Sequence, residues 1–146
     1  MDKLILSWQD VDRAIVEIAN RVRKDFNPDV LVCIARGGCI PGVRLSHIFG
    51  DKPLEVIQVK YYKGYEHLKE PELMSEIKPF QGKVLLVDDV ADTGASLKLV
   101  FDSLVDKCQE VRTAVVAYKP RSALKPDYFI IETDKWVVFP WEEFGR

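Results

Sequence analysis

With 146 residues, 47% of them apolar and 30% charged, the chain has the length of one domain with a true hydrophobic core. Its 21 basic residues against 23 acidic ones leave a net charge of −2, without the basic excess of a general nucleic-acid binder. No apolar run approaches the roughly 18 residues needed to cross a membrane, and Met1-Asp2-Lys3-Leu4-Ile5-Leu6 lacks the build of a secretory leader.

Ser7-Trp8-Gln9-Asp10 predicts a helix start, with Ser7 as cap and Asp10 favouring the helix N-terminus. Val11, Ala14, Ile15, Ile18 and Val22 then recur at helical spacing, and Asn27-Pro28-Asp29 breaks the pattern. Val30 to Ala35 is a continuous apolar run, as in a strand covered on both faces. Arg36-Gly37-Gly38 ends it. Pro41 to Phe49 predicts a short helix that stops at Gly50-Asp51. Leu54 to Tyr62 predicts a strand. Lys63 to Lys78 is polar and aperiodic, the mark of a functional lid or loop.

Val84 to Val87 predicts a second buried strand, and Asp88-Asp89-Val90-Ala91-Asp92-Thr93-Gly94 follows it directly. Leu97, Val100, Phe101, Leu104 and Val105 mark a helix face. Thr113 to Tyr118 and Tyr128 to Ile131 predict two more strands, and Trp136 to Phe144 is an aromatic tail. Short apolar strands alternating with helices imply an α/β fold with a mainly parallel central sheet flanked by helices. Cys33, Cys39 and Cys108 form no Cys-x-x-Cys pair, so zinc and a disulfide framework are not expected, and a reducing, cytoplasmic setting fits.

The segment after residue 87 carries the chemistry. Open parallel sheets bind ligands beyond the carboxyl ends of their strands. Thr93 and Ser96 offer hydroxyls, Gly94 permits close approach, and the N–H groups opening the next helix favour an anion. That combination suits a monophosphate. Asp88 and Asp89 would repel phosphate but accept hydrogen bonds from the vicinal hydroxyls of a ribose. Ala35-Arg36-Gly37-Gly38 makes a second anion nest, suited to pyrophosphate. Solvated turns can use the same residue types. A receiver domain also has an acid pair after a strand, but places it near the N-terminus, and Asp127 precedes its strand rather than ending it. Dinucleotide and P-loop glycine fingerprints are absent. Lys119, a pure donor, suits a carbonyl such as purine O6, and Trp136 offers a face for stacking. Core or subunit packing would also use Trp136.

Val84-Leu-Leu-Val-Asp-Asp-Val-Ala-Asp-Thr-Gly-Ala-Ser-Leu97 resembles the phosphoribosyl pyrophosphate motif of type I phosphoribosyltransferases. Residues 35–42 are similar to that family's pyrophosphate loop. Lys119-Pro120 and Trp136 to Glu143 resemble the microbial xanthine-guanine and hypoxanthine (6-oxopurine) members. The resemblance implies one domain over residues 1–146, with a mobile lid at about 60–78 and a small purine-binding C-terminal hood at about 128–146. It implies transfer of a phosphoribosyl group from phosphoribosyl pyrophosphate to purine N9, in purine salvage. Asp88, Asp89, Ala91, Asp92, Thr93, Gly94, Ala95 and Ser96 would hold the ribose 5-phosphate, and Ala35, Arg36, Gly37 and Gly38 the pyrophosphate. Lys119, Trp136 and Val137 would bind the purine.

Catalysis would fall to Asp92, Asp88 and Asp89. Mg²⁺ would be held with the help of Asp88, Asp89 and Glu142. The resemblance further implies a cis peptide between Arg36 and Gly37, lid contacts from Lys60, Tyr62 or Lys63, and a homodimer or homotetramer. Partners would be the donor and a base, with no nucleic acid and no membrane. Two other readings are an adenine phosphoribosyltransferase, disfavoured by Lys119, and a non-catalytic sensor of the donor.

Overall fold

The computed structural model describes residues 2–63 and 69–142. Its centre is a six-stranded sheet built from β2 (Val30–Ala35), β3 (Leu54–Lys63), β4 (Lys69–Leu73), β5 (Lys83–Ala91), β6 (Glu110–Tyr118) and β7 (Tyr128–Glu132). The order is β4-β3-β2-β5-β6-β7, and every pair is parallel except β3 with β4. The chain moves outward from β2 to β3, then crosses back to place β5 on the other side of β2. The topological switch therefore lies between β2 and β5, where open sheets place their ligands.

Alternation along the central strands feeds two cores. Leu31, Cys33, Leu85 and Val87 pack toward α1 (Trp8–Asp25) and α2 (Cys39–Ile48). Val30, Val32, Ile34, Val84 and Leu86 pack with Leu97, Val100 and Leu104 of α3 (Ala95–Leu104). Strands buried on both faces explain the unbroken apolar runs of the sequence. The predicted cap of α1 is present as a reciprocal box. Ser7 Oγ accepts from Asp10 N at 3.0 Å, and Asp10 Oδ2 accepts from Ser7 N at 2.9 Å. No described helix is long and apolar enough to cross a membrane.

Several predicted boundaries move. Helix α2 begins at Cys39 rather than Pro41, because proline is tolerated in the first helical turn, where its missing N–H has no partner to lose. β5 does not stop at Val87 but runs through the acid pair to Ala91, with Asp88 in register with Val115. The polar lid is not wholly irregular. Residues 59–63 and 69–73 form an antiparallel ladder, with Pro71 on the edge strand β4, where a missing N–H costs no ladder bond. Residues 64–68 of the expected lid and 143–146 of the expected hood lie outside the described residues. Two short strands went unpredicted. β1 (Lys3–Ile5) pairs in parallel with β8 (Trp136–Val138), followed by a 3₁₀ turn over Pro140–Glu142.

Candidate functional site

Two parallel strands end side by side at the switch point. β2 delivers Ala35 to Gly38, and β5 delivers Asp88 to Ala91. The crossing is close. An added Cβ at Gly37 would sit 1.9 Å from Asp89 Oδ2, and one at Gly38 would sit 2.6 Å from Ile34 O and 2.7 Å from Val87 O. Side-chain atoms could swing away at Gly37, but backbone walls Gly38. Gly38→Ala is therefore expected to cost roughly 1–3 kcal/mol. It should lower the thermal midpoint by about 3–15 °C. A scanning-calorimetry midpoint equal to wild type would contradict that packing.

The cis peptide lies between Ala35 and Arg36, one bond earlier than expected. The turn itself begins at Arg36, whose carbonyl accepts from Cys39 N at 3.1 Å, so the cis bond sits at the strand end and not inside the turn. Cys33 is fully buried beneath this loop, and burial pushes its thiol up to about 12. It acts as a small apolar filler.

A cavity of about 250 Å³ opens over these strand ends. Ala35, Arg36 and Gly37 line one side, and Asp88, Asp89 and residues 92–97 the other. Gly94 takes a left-handed φ of +78°, which turns the chain into α3. Thr93 Oγ1 accepts from Ala95 N at 3.3 Å. From the lid, Tyr61 lines the cavity and its hydroxyl hydrogen-bonds to Ser96 Oγ. The expected lid contacts were Lys60, Tyr62 and Lys63 rather than Tyr61. Lys60 is exposed and outside the cavity lining, and of Tyr62 and Lys63 only the strand backbone is described. Ala91 also stays out of the lining, buried in the core formed with α3.

The acid pair is held out of water. Asp88 is 8% exposed. Burial holds its carboxyl well above the ordinary carboxylate range, and the adjacent Asp89 charge adds to the effect. Burial raises Asp89 as well, opposed by its hydrogen bonds to Asp88 and to Val90 N and reinforced by Glu142. Asp88 Oδ1 accepts from Asp89 N and Asp89 Oδ1 from Val90 N, both at 2.8 Å.

A second cavity, of about 100 Å³, adjoins the first. Asp89, Val90 and Asp92 line both. Its other walls are Lys119, Trp136, Val137, Phe139 and Glu142. Lys119 is 7% exposed, stands 3.4 Å from Asp92 Oδ2, and lies 5.3 Å above the centroid of the Trp136 ring. Strand β1 pairs along this wall. Trp136 N donates to Asp2 O at 3.0 Å, and Leu6 N donates to Val138 O at 2.9 Å. Successive residues of a parallel strand face opposite edges, so the N–H and C=O of Val137 point away from β1. Glu142 Oε1 accepts from Phe139 N at 2.8 Å, closing the 3₁₀ turn.

One residue of this neighbourhood escaped sequence reasoning. Arg121 binds Asp92 Oδ1 through Nε, at 2.8 Å, and through Nη2. Nothing local announces it, because the two residues are 29 positions apart. An all-oxygen set of Asp88, Asp89 and Glu142 suits a hard divalent cation. Burial disfavours the charged form of both acids, and a cation beside them would favour it. Among the described residues no group of three His, Cys, Asp or Glu side chains is placed to hold an ion alone. A cation here would complete its shell with oxygens of a ligand.

Comparison with known proteins agrees with this geometry. The profile of the phosphoribosyl transferase domain matches residues 3–144. The crystal structure of a purine phosphoribosyltransferase from Pyrococcus horikoshii is 46% identical, covers 99% of this chain and 97% of its own, and superposes with a TM-score of 0.89. The xanthine-guanine-hypoxanthine phosphoribosyltransferase of Helicobacter pylori is 26% identical, covers 96% and 94%, and has a TM-score of 0.83. A xanthine-guanine phosphoribosyltransferase of Nitratidesulfovibrio vulgaris is 27% identical over 94% of this chain and 83% of its own. The mainly parallel sheet flanked by three helices is the fold of these neighbours.

Proposed function

The chain belongs to the phosphoribosyltransferase family, and from that premise we propose that it transfers the 5-phosphoribosyl group of phosphoribosyl pyrophosphate to N9 of a 6-oxopurine. The products are a nucleoside monophosphate and pyrophosphate, and the role is purine salvage. One observation carries the reading. A phosphate-type cavity and a purine-type cavity share Asp89 and Asp92, so a ribose bridging them has its C1′ between those carboxylates.

The roles follow from chemistry. Thr93 to Ser96 hold the 5-phosphate, Ala35 to Gly38 the pyrophosphate, and Asp88 and Asp89 the ribose hydroxyls. Bond-breaking at C1′ develops positive charge there, which the two carboxylates favour. The purine N9 forms the new bond as the bond to pyrophosphate breaks, and the N7 proton passes to Asp92. Asp88, Asp89 and Glu142, together with oxygens of the donor, would hold Mg²⁺, which when bound would supply charge neutralisation for the leaving pyrophosphate. Lys119 donates to O6 and Trp136 stacks on the ring. The Val137 backbone reads the 2-position. Adenine fits worse, because it offers an amino donor where Lys119 needs an acceptor. The expected lid at about 60–78 and hood at about 128–146 would cover the reaction. The reading places the protein in a reducing cytoplasm, in keeping with its three free thiols, as a homodimer or homotetramer.

Stacking on Trp136 predicts a selective defect. Trp136→Ala should raise the KM for the purine by roughly 5–150-fold, the equivalent of about 1–3 kcal/mol, with the donor KM within about twofold. Steady-state kinetics with each substrate varied checks this, and equal effects on both substrates would contradict it. The reaction itself is tested by product identity. Incubation with Mg²⁺, donor and guanine should give the nucleoside monophosphate and pyrophosphate in equal amounts by mass spectrometry. Pyrophosphate without nucleotide would mean donor hydrolysis and would overturn the reading.

A further inference from the structure

The turn after β6 is laid along the phosphoribosyl loop residue by residue. Lys119 N donates to Ala91 O at 2.9 Å, Arg121 binds the Asp92 carboxylate, and Ala123 N donates to Thr93 O at 2.8 Å. An added Cβ at Gly94 would meet Ser122 Oγ at 2.2 Å. The two cations on Asp92 divide its oxygens. Arg121 takes Oδ1 with two N–H groups, and Lys119 faces Oδ2. Lys119 and Asp92 line the purine cavity, whereas Arg121 lines neither cavity and its side chain is 62% exposed.

We propose that Arg121 is a positioning residue that anchors Oδ1 of Asp92, fixing the carboxylate plane so that Oδ2 is the oxygen that receives the purine proton. The inference rests on the transfer reaction proposed above and deepens it. A carboxylate held only by Lys119 would lose its partner when the lysine turns to the purine O6. It would then be free to rotate about its side-chain bonds. Arg121 approaches from outside the cavity and makes no demand on the base, so Asp92 keeps its orientation while Lys119 changes partner. A guanidinium suits this task, because its planar fork fixes direction as well as charge, which an ammonium does not.

The test is kinetic. In Arg121→Ala, misorientation of Asp92 should lower kcat about tenfold and leave the donor KM within about twofold. Arg121→Lys should recover part of kcat. In an Asp92→Asn background, Arg121→Ala should change kcat less than about twofold, because the two residues act as one unit. The exposed ion pair contributes little to stability, so the variants should melt within about 3 °C of wild type. Should the alanine variant fail to fold, Arg121→Gln replaces it with the same expectation. Wild-type kcat in a folded Arg121→Ala or Arg121→Gln variant would overturn the proposal. So would a tenfold loss repeated in the Asp92→Asn background, which would make the role independent of Asp92. A wild-type protein with no turnover on any 6-oxopurine would instead sink the transfer reading, and the role of Arg121 with it.

Discussion

Asp92→Asn is expected to lower kcat by roughly 10²–10⁴-fold, the usual contribution of a general acid or base. Asparagine keeps the shape and one acceptor oxygen but cannot take a proton. Donor affinity should stay within about threefold, because the substitution leaves the phosphate seats proposed at Thr93 to Ser96 and Ala35 to Gly38 untouched. The loss should therefore fall on the chemical step. Lys119, nearly buried at 7% exposure, loses its carboxylate partner in this variant. A modest drop in thermal midpoint accompanies the kinetic loss. The pairing of single-turnover kinetics with calorimetric titration of donor and Mg²⁺ separates the two effects. Unchanged turnover would remove Asp92 from its role, and lost donor binding would move it to the ribose site.

Asp88→Asn is expected to slow transfer strongly while making the ligand-free protein more stable. The activity loss should be about 100-fold or more, as for removal of a preorganised group facing developing charge. The stability gain follows from burial. Asp88 sits in the core end of β5 beside another acid, and its carboxyl is held above the ordinary range by burial first and by Asp89 second. The unfolded chain titrates near the usual value of about 3.9. Between that value and the raised folded one, the native state binds more protons than the unfolded state. Stability therefore falls as pH rises through that window, and the cost is fully present above it. Asp10 and Asp12 shift the other way, so their contributions are lost only below the ordinary carboxylate range and do not overlap it.

Asparagine removes the cost and can keep the hydrogen bond from Asp89 N through its amide oxygen. At pH 7.5 the midpoint should rise by about 3–5 °C per kcal/mol relieved, and its decline with pH should flatten. A lower midpoint at pH 7.5 would contradict the account. Functional sites commonly carry this kind of opposition between stability and activity.

The lining of the first cavity was legible because it is short-range. A strand end, two acids, a glycine and two hydroxyls lie within 14 consecutive residues, and each meets its neighbours through local backbone geometry. The reciprocal cap at Ser7 and Asp10 is legible for the same reason, and so are the doubly buried strands. Long-range pairings were not. Trp136 could be marked as a stacking surface, but not that Lys3 to Ile5, some 133 residues earlier, pairs with it to build the hood. Arg121 sits two residues past Lys119 in an ordinary polar turn, and only folding brings it to Asp92. The lid misled for a physical reason. The edge pair carries Pro71 and mixed charges, and only scattered residues such as Val59, Leu73 and Ile77 turn to the α3-side core, so no regular apolar alternation shows in the sequence.

The central claim is that one continuous site holds a phosphoribosyl donor beside a base read through its 6-oxo group. Pyrophosphate release with Mg²⁺ and donor, measured separately with guanine, xanthine, hypoxanthine, adenine, uracil and orotate, tests it most directly. Turnover with the 6-oxopurines, and little with adenine or the pyrimidines, is the predicted result. Turnover confined to adenine or a pyrimidine would contradict the assignment of Lys119 and Trp136, and no turnover with any base would contradict the account as a whole.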